Sequence, residues 1–226
     1  MKKSSGYKPY YNAAGKQVPG VTTVIKNIGW SSEQLMWWAN KVGREEGRNH
    51  RDVAEEAACV GNFAHLAMEA DVKGEPFNIE ELDLGPQQKV QIGVSWTAWL
   101  TWKQMVNLEF IGAEIEVVSE RLQCGGRIDI LIKAMESLAI LDLKTGNKVY
   151  ESAIIQCTAY GDLWNETHPE NQIAAIYILR VDKENGSWGF QYKPFDPPQV
   201  LEPARKAFFH ARQLHDLKKH CKKLVG

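Results

Sequence analysis

The chain has 226 residues, 44% of them hydrophobic, which is enough to bury a sizeable core in one domain, and no Gly/Ser-rich or Pro-rich linker divides it. A formal net charge of −1 does not announce a nucleic-acid binder, and no apolar run approaches the roughly 20 residues that cross a bilayer, so a soluble protein with no membrane partner is expected. The four cysteines, Cys59, Cys124, Cys157 and Cys221, stand singly with no C-x-x-C pair and no signal peptide before them, which suits a reducing cytoplasm.

In chain order, residues 7–30 alternate aromatic, turn and β-branched residues. They predict an extended arm or short hairpin ending at Thr22 and Thr23, where a helix begins. A helix is expected over 31–47, with Ser31 or Ser32 as N-cap. The next, over 52–74, places Ala58, Phe63, Leu66 and Ala67 near one side with His65 beside them. A long helix from about Pro86 to Asn107 carries Trp96, Trp99 and Trp102 at every third position, a spacing that belongs to core more often than to a base-stacking platform.

After Glu109 the period changes to two. Strands are predicted over 113–119, 125–132 and 138–145, then a helix over 151–166, strands over 173–180 and 187–195, and an amphipathic helix over 202–224 with a basic outer face. The order predicts an α/β (α+β) fold with a mixed central sheet flanked by helices. We expect one domain over 1–226, made of an N-terminal arm and helices (1–108), a sheet core (109–195) and the C-terminal basic helix (196–226).

Charge is unevenly placed. Arg205, Lys206, Arg212, Lys218, Lys219, Lys222 and Lys223 face only Asp216, and Lys2, Lys3, Lys8 and Lys16 stand unopposed, while acids gather around Glu69 to Asp83. Such a distribution permits a polyanion to be tracked along one face, although a solvated helix surface is the commoner cause of a charge run.

The informative stretch is RIDILIKAMESLAILDLKTG, in which Asp129 and Asp142 interrupt two apolar runs. A carboxylate there is costly to desolvate unless it is paired or binds a cation. The short connection between the runs makes them antiparallel neighbours, which brings the two acids side by side. Two carboxylates repel, so a hard divalent cation, Mg²⁺ or Mn²⁺, is a natural partner; a structural salt-bridge network is the alternative. Lys144 projects to the same side as Asp142, and Leu143 between them points into the core. Two acids, a lysine and a cation suit metal-assisted hydrolysis of a phosphodiester.

GGRID, LDLKTG and QCTAY together resemble the PD-(D/E)XK nuclease superfamily, and within it the RecB-like exonuclease branch. VGNFAH resembles that branch's Gly-x-x-x-His helix, PGVTTVI the opening of phage and mitochondrial single-strand exonucleases, and IGAEIEVVS its Glu-bearing strand. The resemblance implies a restriction-endonuclease-like core with an N-terminal helical region. It implies metal binding by His65, Asp129, Asp142 and the Leu143 carbonyl, with Lys144 as catalytic lysine. Glu114 would assist through a metal-bound water, and Gln156 and Tyr160 would brace the site or the DNA backbone. Glu116 shares the face of Glu114, so either could serve. Gly20 and Asn62 depart from the family's usual Ser and Thr without touching the chemistry.

Some relatives hold an iron–sulfur cluster through three late cysteines; only Cys221 is late here, so no such cluster is expected, and no G-x-x-x-x-G-K-[ST] loop announces a nucleotide cofactor. His65 alone would read as a core histidine, and it gains meaning only beside Asp129 and Asp142. His210, His215 and His220 recur every five residues and wind around their helix, so they are not expected as ligands. The expected protein is a metal-dependent phage or bacterial DNA exonuclease acting on single strands or duplex ends in replication, recombination or repair. A recombination or replication protein is its expected partner. Tyr10 or Tyr11 and Trp37 or Trp38 could stack on bases, and Lys148 reaches phosphate or solvent. The alternatives are a non-catalytic nucleic-acid- or protein-binding module on the same fold, and an endonuclease.

Overall fold

The computed structural model describes residues 8–30, 32–196 and 198–224. Lys2, Lys3, Tyr7 and Ser31, on which expectations fell, lie outside the described residues, as do the side chains of Lys219 and Lys222.

The chain opens as a hairpin of Tyr10–Tyr11 (β1) and Gln17–Val18 (β2). Its turn is closed by the Gly15 N–H donating to the Asn12 carbonyl at 2.9 Å, with Gly15 at φ 71°, a conformation glycine adopts at no steric cost. The helix expected after Pro19 is the short Val21–Ile25 (α1), followed by Ser32–Lys41 (α2) and a wider turn over Val42–Glu46. His50–Lys73 (α3) starts where the Asn49 side chain accepts the Arg51 N–H and stops at left-handed Gly74. Pro86–Met105 (α4) starts with proline in its first turn, where a missing N–H costs nothing.

Five strands follow in the sheet order β3-β4-β5-β6-β7: Glu109–Ser119, Cys124–Ala134, Ser137–Lys144, Ile173–Val181 and Trp188–Pro194. All neighbours are antiparallel except β5 and β6, which run parallel and are joined by the crossover helix Glu151–Thr167 (α5). The connection between β4 and β5 is a tight turn in which Ala134 pairs with Ser137, so the two acid-bearing strands are the antiparallel neighbours their short connection predicts. Glu202–Lys223 (α6) closes the fold.

Helices cover both faces of this mixed sheet. On one side α1, α5 and α6 pack over Ile128, Leu131, Ile140, Ile176 and Ile178; on the other α3 and α4 pack over Ile130, Ile132, Leu141, Leu143 and Leu179. Trp99 and Trp102 are fully buried in the second layer, as the core reading of the tryptophan stripe requires, and Trp96 is half-buried against Phe77.

Two expectations need correction. The core-facing stripe of α3 is Val60, Ala64, Ala67 and Met68, while Ala58 is exposed and Phe63 and Leu66 are only partly buried. Nine positions along a helix turn it by half a circle, so Ala58 and Ala67 fall on opposite sides and the four residues do not form one stripe. The basic face of α6 is also partly structural. Arg205 binds Asp162 at 3.0 Å, and Arg212 donates to the carbonyls of Leu122 and Gln123, so these guanidiniums fasten α6 to the body.

Candidate active site

The acids come together where the sheet breaks its own alternation. Ala113 pairs with Ile130 and both belong to the α3/α4 layer, whereas Ile115 pairs with Ile128 and both pack in the α5 layer. In a regular strand residues two apart share a face, so both strands change phase between these pairs, at Glu114 and Asp129. Glu114 has φ 57°, a left-handed conformation that L residues adopt at a cost of roughly 1–3 kcal/mol.

Asp129 Oδ2 accepts the Leu143 N–H at 3.0 Å, so the β4 carboxylate is held by the backbone of β5. The same oxygen lies 3.5 Å from His65 Nδ1 on α3. Asp142, one position before Leu143, is buried, and its Oδ2 sits 2.6 Å from Lys144 Nζ while accepting no well-directed hydrogen bond. Burial pushes the Asp142 carboxyl above the usual range, Lys144 pulls it back and Asp129 pushes it up again. Burial opposes the charge on Lys144, but Asp142 and Asp129 outweigh it and hold the ammonium well above its ordinary value.

His65, Glu114, Leu143 and Lys144 line an open cleft of about 370 Å³ between α3 and the strand ends, together with Gly61 and Thr145. Asp129 and Asp142 adjoin it through His65 and Lys144. Gly61 lets α3 approach the end of β5, since a Cβ there would stand 3.0 Å from Thr145 Oγ1. Glu114 faces the cleft and receives Arg127 Nη1 at 2.9 Å; Glu116 is exposed and lies outside it, because the left-handed backbone at Glu114 breaks the shared face. Burial raises the Glu114 carboxyl, and the hydrogen bond from Arg127 partly restores it.

Gln156 and Tyr160 lie one turn apart on α5, the helix whose Cys157 thiol meets Asp142, with Gln156 Nε2 donating to Tyr160 Oη at 2.8 Å and reaching Thr22 Oγ1 at 3.3 Å. The Tyr160 ring lies directly over Gly126, where any Cβ would overlap it, and Tyr10 covers Gly125 in the same way. Both glycines of CGGRID are thus required by close approach.

Three participants escaped the sequence reading. Arg127 could have been found, since it stands two residues before the acid of GGRID and opposite the strand that carries Glu114. Cys157, whose buried thiol lies beside Asp142, and Thr22, which meets Gln156 from α1, depend on packing that no local pattern reports.

The donor set suits a hard divalent cation. Asp142 Oδ2 is buried against the Lys144 ammonium, a carboxylate from the neighbouring strand stands beside it, and an imidazole lies next to that carboxylate. Among the described residues no three His, Cys, Asp or Glu side chains converge as closely as ligands of one ion. A cation here would be completed by backbone oxygen and water, as Mg²⁺ commonly is.

A five-stranded mixed sheet between helical layers, with two acids and a lysine at its β4–β5 junction, has the restriction-endonuclease-like architecture. Residues 35–225 match the PD-(D/E)XK nuclease superfamily, and the chain belongs to it. Nuclease membership implies a nucleic-acid substrate and, as is typical of the superfamily, a divalent metal ion. Among solved structures, the crystal structure of SSO0001 is similar at 14% identity and TM-score 0.40, covering 90% of this chain and 78% of that one. The crystal structure of LHK-Exo in complex with dAMP is similar at 9% identity and TM-score 0.40, covering 92% and 94%. Both are too distant to bear on site or substrate. No match is found among the curated proteins. Among the described residues no helix is long and apolar enough to cross a membrane.

Proposed function

We propose that the protein is a metal-dependent DNA exonuclease of the RecB-like branch, with its active site at the junction of β4, β5 and α3. The observation that carries the reading is the Asp142–Lys144 pair at 2.6 Å beside the Asp129–Leu143 bond at 3.0 Å, a costly arrangement of charges next to an open cleft. The whole chain works as one nuclease domain, since α1 and α6 pack into the same layer as α5.

Asp129, Asp142 and His65 would hold Mg²⁺ or Mn²⁺, with the Leu143 carbonyl as a further oxygen. When bound, such a cation lowers the pKa of a water and neutralises charge on the scissile phosphate. Lys144, anchored by Asp142, orients the attacking water and meets the negative charge that grows on the phosphate. Glu114, fixed by Arg127, supplies a second acceptor at the cleft wall. Gln156 and Tyr160 brace β4 through the ring over Gly126. The assignment favours a nuclease of replication, recombination or end repair in a phage or bacterial cytoplasm, where a recombination or replication protein would be its partner.

The test is degradation of end-labelled linear single- and double-stranded DNA, beside circular controls, with Mg²⁺, Mn²⁺ or EDTA, by wild type and Asp142→Ala. Metal-dependent loss of linear DNA alone, absent in the variant, is expected. Cutting of circles would make the enzyme an endonuclease, and binding of DNA without cleavage would leave a non-catalytic module.

A further inference from the structure

An apolar groove of about 310 Å³ opens between α1, α2 and the first turns of α5. Thr22, Ile25, Trp30, Leu35, Ile155 and Gln156 are in its wall. Its size is at the low end of ligand sites, which run from roughly 300 to 1,000 Å³, and suits a single planar group. Trp30 is 62% exposed and Leu35 58%, and α2 buries none of its own side chains, so this wall is not explained by packing.

We propose that this groove takes one unpaired nucleobase of the strand being processed, stacked against Trp30, which makes single-stranded nucleic acid the preferred substrate. The inference rests on the nuclease reading and deepens it. Continuity with the candidate active site carries it: Gln156 in the groove wall bonds Tyr160, whose ring lies over Gly126, three residues before Asp129 on the same strand. A strand with a phosphate at Asp129 and Asp142 therefore has an apolar slot beside it.

The polar groups of the slot favour a base over a phosphate. Lys26 and Glu151 both lie in the wall, so the slot has no net positive charge, while Thr22, Ser152 and Gln156 offer hydroxyl and amide groups to a base edge. A cation stands beside the wall residue Glu151 instead, with Lys148 Nζ over the Tyr150 ring at 4.6 Å. Aromatic surface with a lysine beside it is the combination single-strand binders use. A base still stacked in a duplex could not enter a slot between helices without first leaving its stack.

The experiment measures binding of single-stranded and blunt duplex oligonucleotides to the full chain in EDTA, for wild type, Trp30→Ala and Trp30→Phe, with an abasic position scanned along the single strand. We expect Trp30→Ala to weaken single-strand binding roughly tenfold, the size of one stacked base, leave blunt duplex unchanged, and be largely rescued by Trp30→Phe. One abasic position should weaken wild type by a similar factor and add nothing in Trp30→Ala, because the two losses are one contact. Additive losses at every position, or equal weakening of both substrates, would overturn the subsite. A change of oligomeric state in Trp30→Ala without this coupling would mark the groove as an interface between copies instead. Cleavage measured separately distinguishes the two readings: turnover without coupling removes only the subsite, and coupling without turnover removes only the nuclease.

Discussion

Leu143 donates its backbone N–H to Asp129 Oδ2 across the β4–β5 junction at 3.0 Å, so one carboxylate serves both as candidate ligand and as the acceptor of a strand N–H. The two roles separate by substitution. Asp129→Asn keeps an oxygen for Leu143 but loses the charge, whereas Asp129→Ala leaves the N–H unpaired. Both should abolish metal-dependent cleavage, and only the alanine variant should also lose about 1–3 kcal/mol in urea unfolding.

Lys144→Met tests the pair at Asp142. Leaving that carboxyl without its cation should cost toward the low end of ~3–5 kcal/mol, since Lys144 is 29% exposed on its side chain. Burial already raises Asp142, and losing Lys144 raises it further. The native state then holds its proton to a higher pH than the unfolded state does. The variant's stability should therefore fall as pH rises from the ordinary aspartate range through the raised native value. Asp142→Asn added to Lys144→Met should remove that slope, as chemical unfolding across pH would reveal. Activity of Lys144→Met should drop roughly 10²–10³-fold.

Gly126→Ala drives a methyl into the Tyr160 ring. Overpacking of this kind costs about 1–3 kcal/mol. Adding Tyr160→Leu should recover part of the loss in thermal unfolding, a non-additivity expected only of groups in contact. Gly43, which has nothing near its Cβ direction, is the control whose alanine variant should not respond to Tyr160→Leu.

All four cysteines are free, and burial distinguishes them. Cys221 is exposed and Cys59 partly so, while burial pushes Cys124 up to about 12 and Cys157 well above its ordinary value. A thiol reagent at neutral pH should label Cys221 first and Cys59 more slowly, and should reach Cys124 and Cys157 only in denaturant. Mass mapping of labelled peptides checks the order.

Much of the architecture was legible because periodicity reports burial directly. The shift from helical spacing to alternation after Glu109 located the sheet, and the helix expected over 151–166 is the one the structure uses as the crossover between parallel β5 and β6. The stripe of α3 was misread for a definite reason. Ala58 and Ala67 are half a turn apart, so Ala67 meets the sheet while Ala58 borders the cleft, and the expected grouping mixed two faces. The choice between Glu114 and Glu116 was equally closed to pattern reading, because alternation presumes a regular backbone and Glu114 is left-handed.

The sequence by itself determined that Asp129, Asp142 and Lys144 would be neighbours, since a tight turn and a two-residue period leave antiparallel strands few other registers. It also determined the helices and strands and their order. Only the tertiary structure decided that His65 comes from α3 to within 3.5 Å of Asp129, that Thr22 meets Gln156, and that Trp30 and Leu35 stay exposed beside an apolar slot. Those placements join segments far apart in the chain, whose approach is set by how whole layers of side chains fill space rather than by any local propensity.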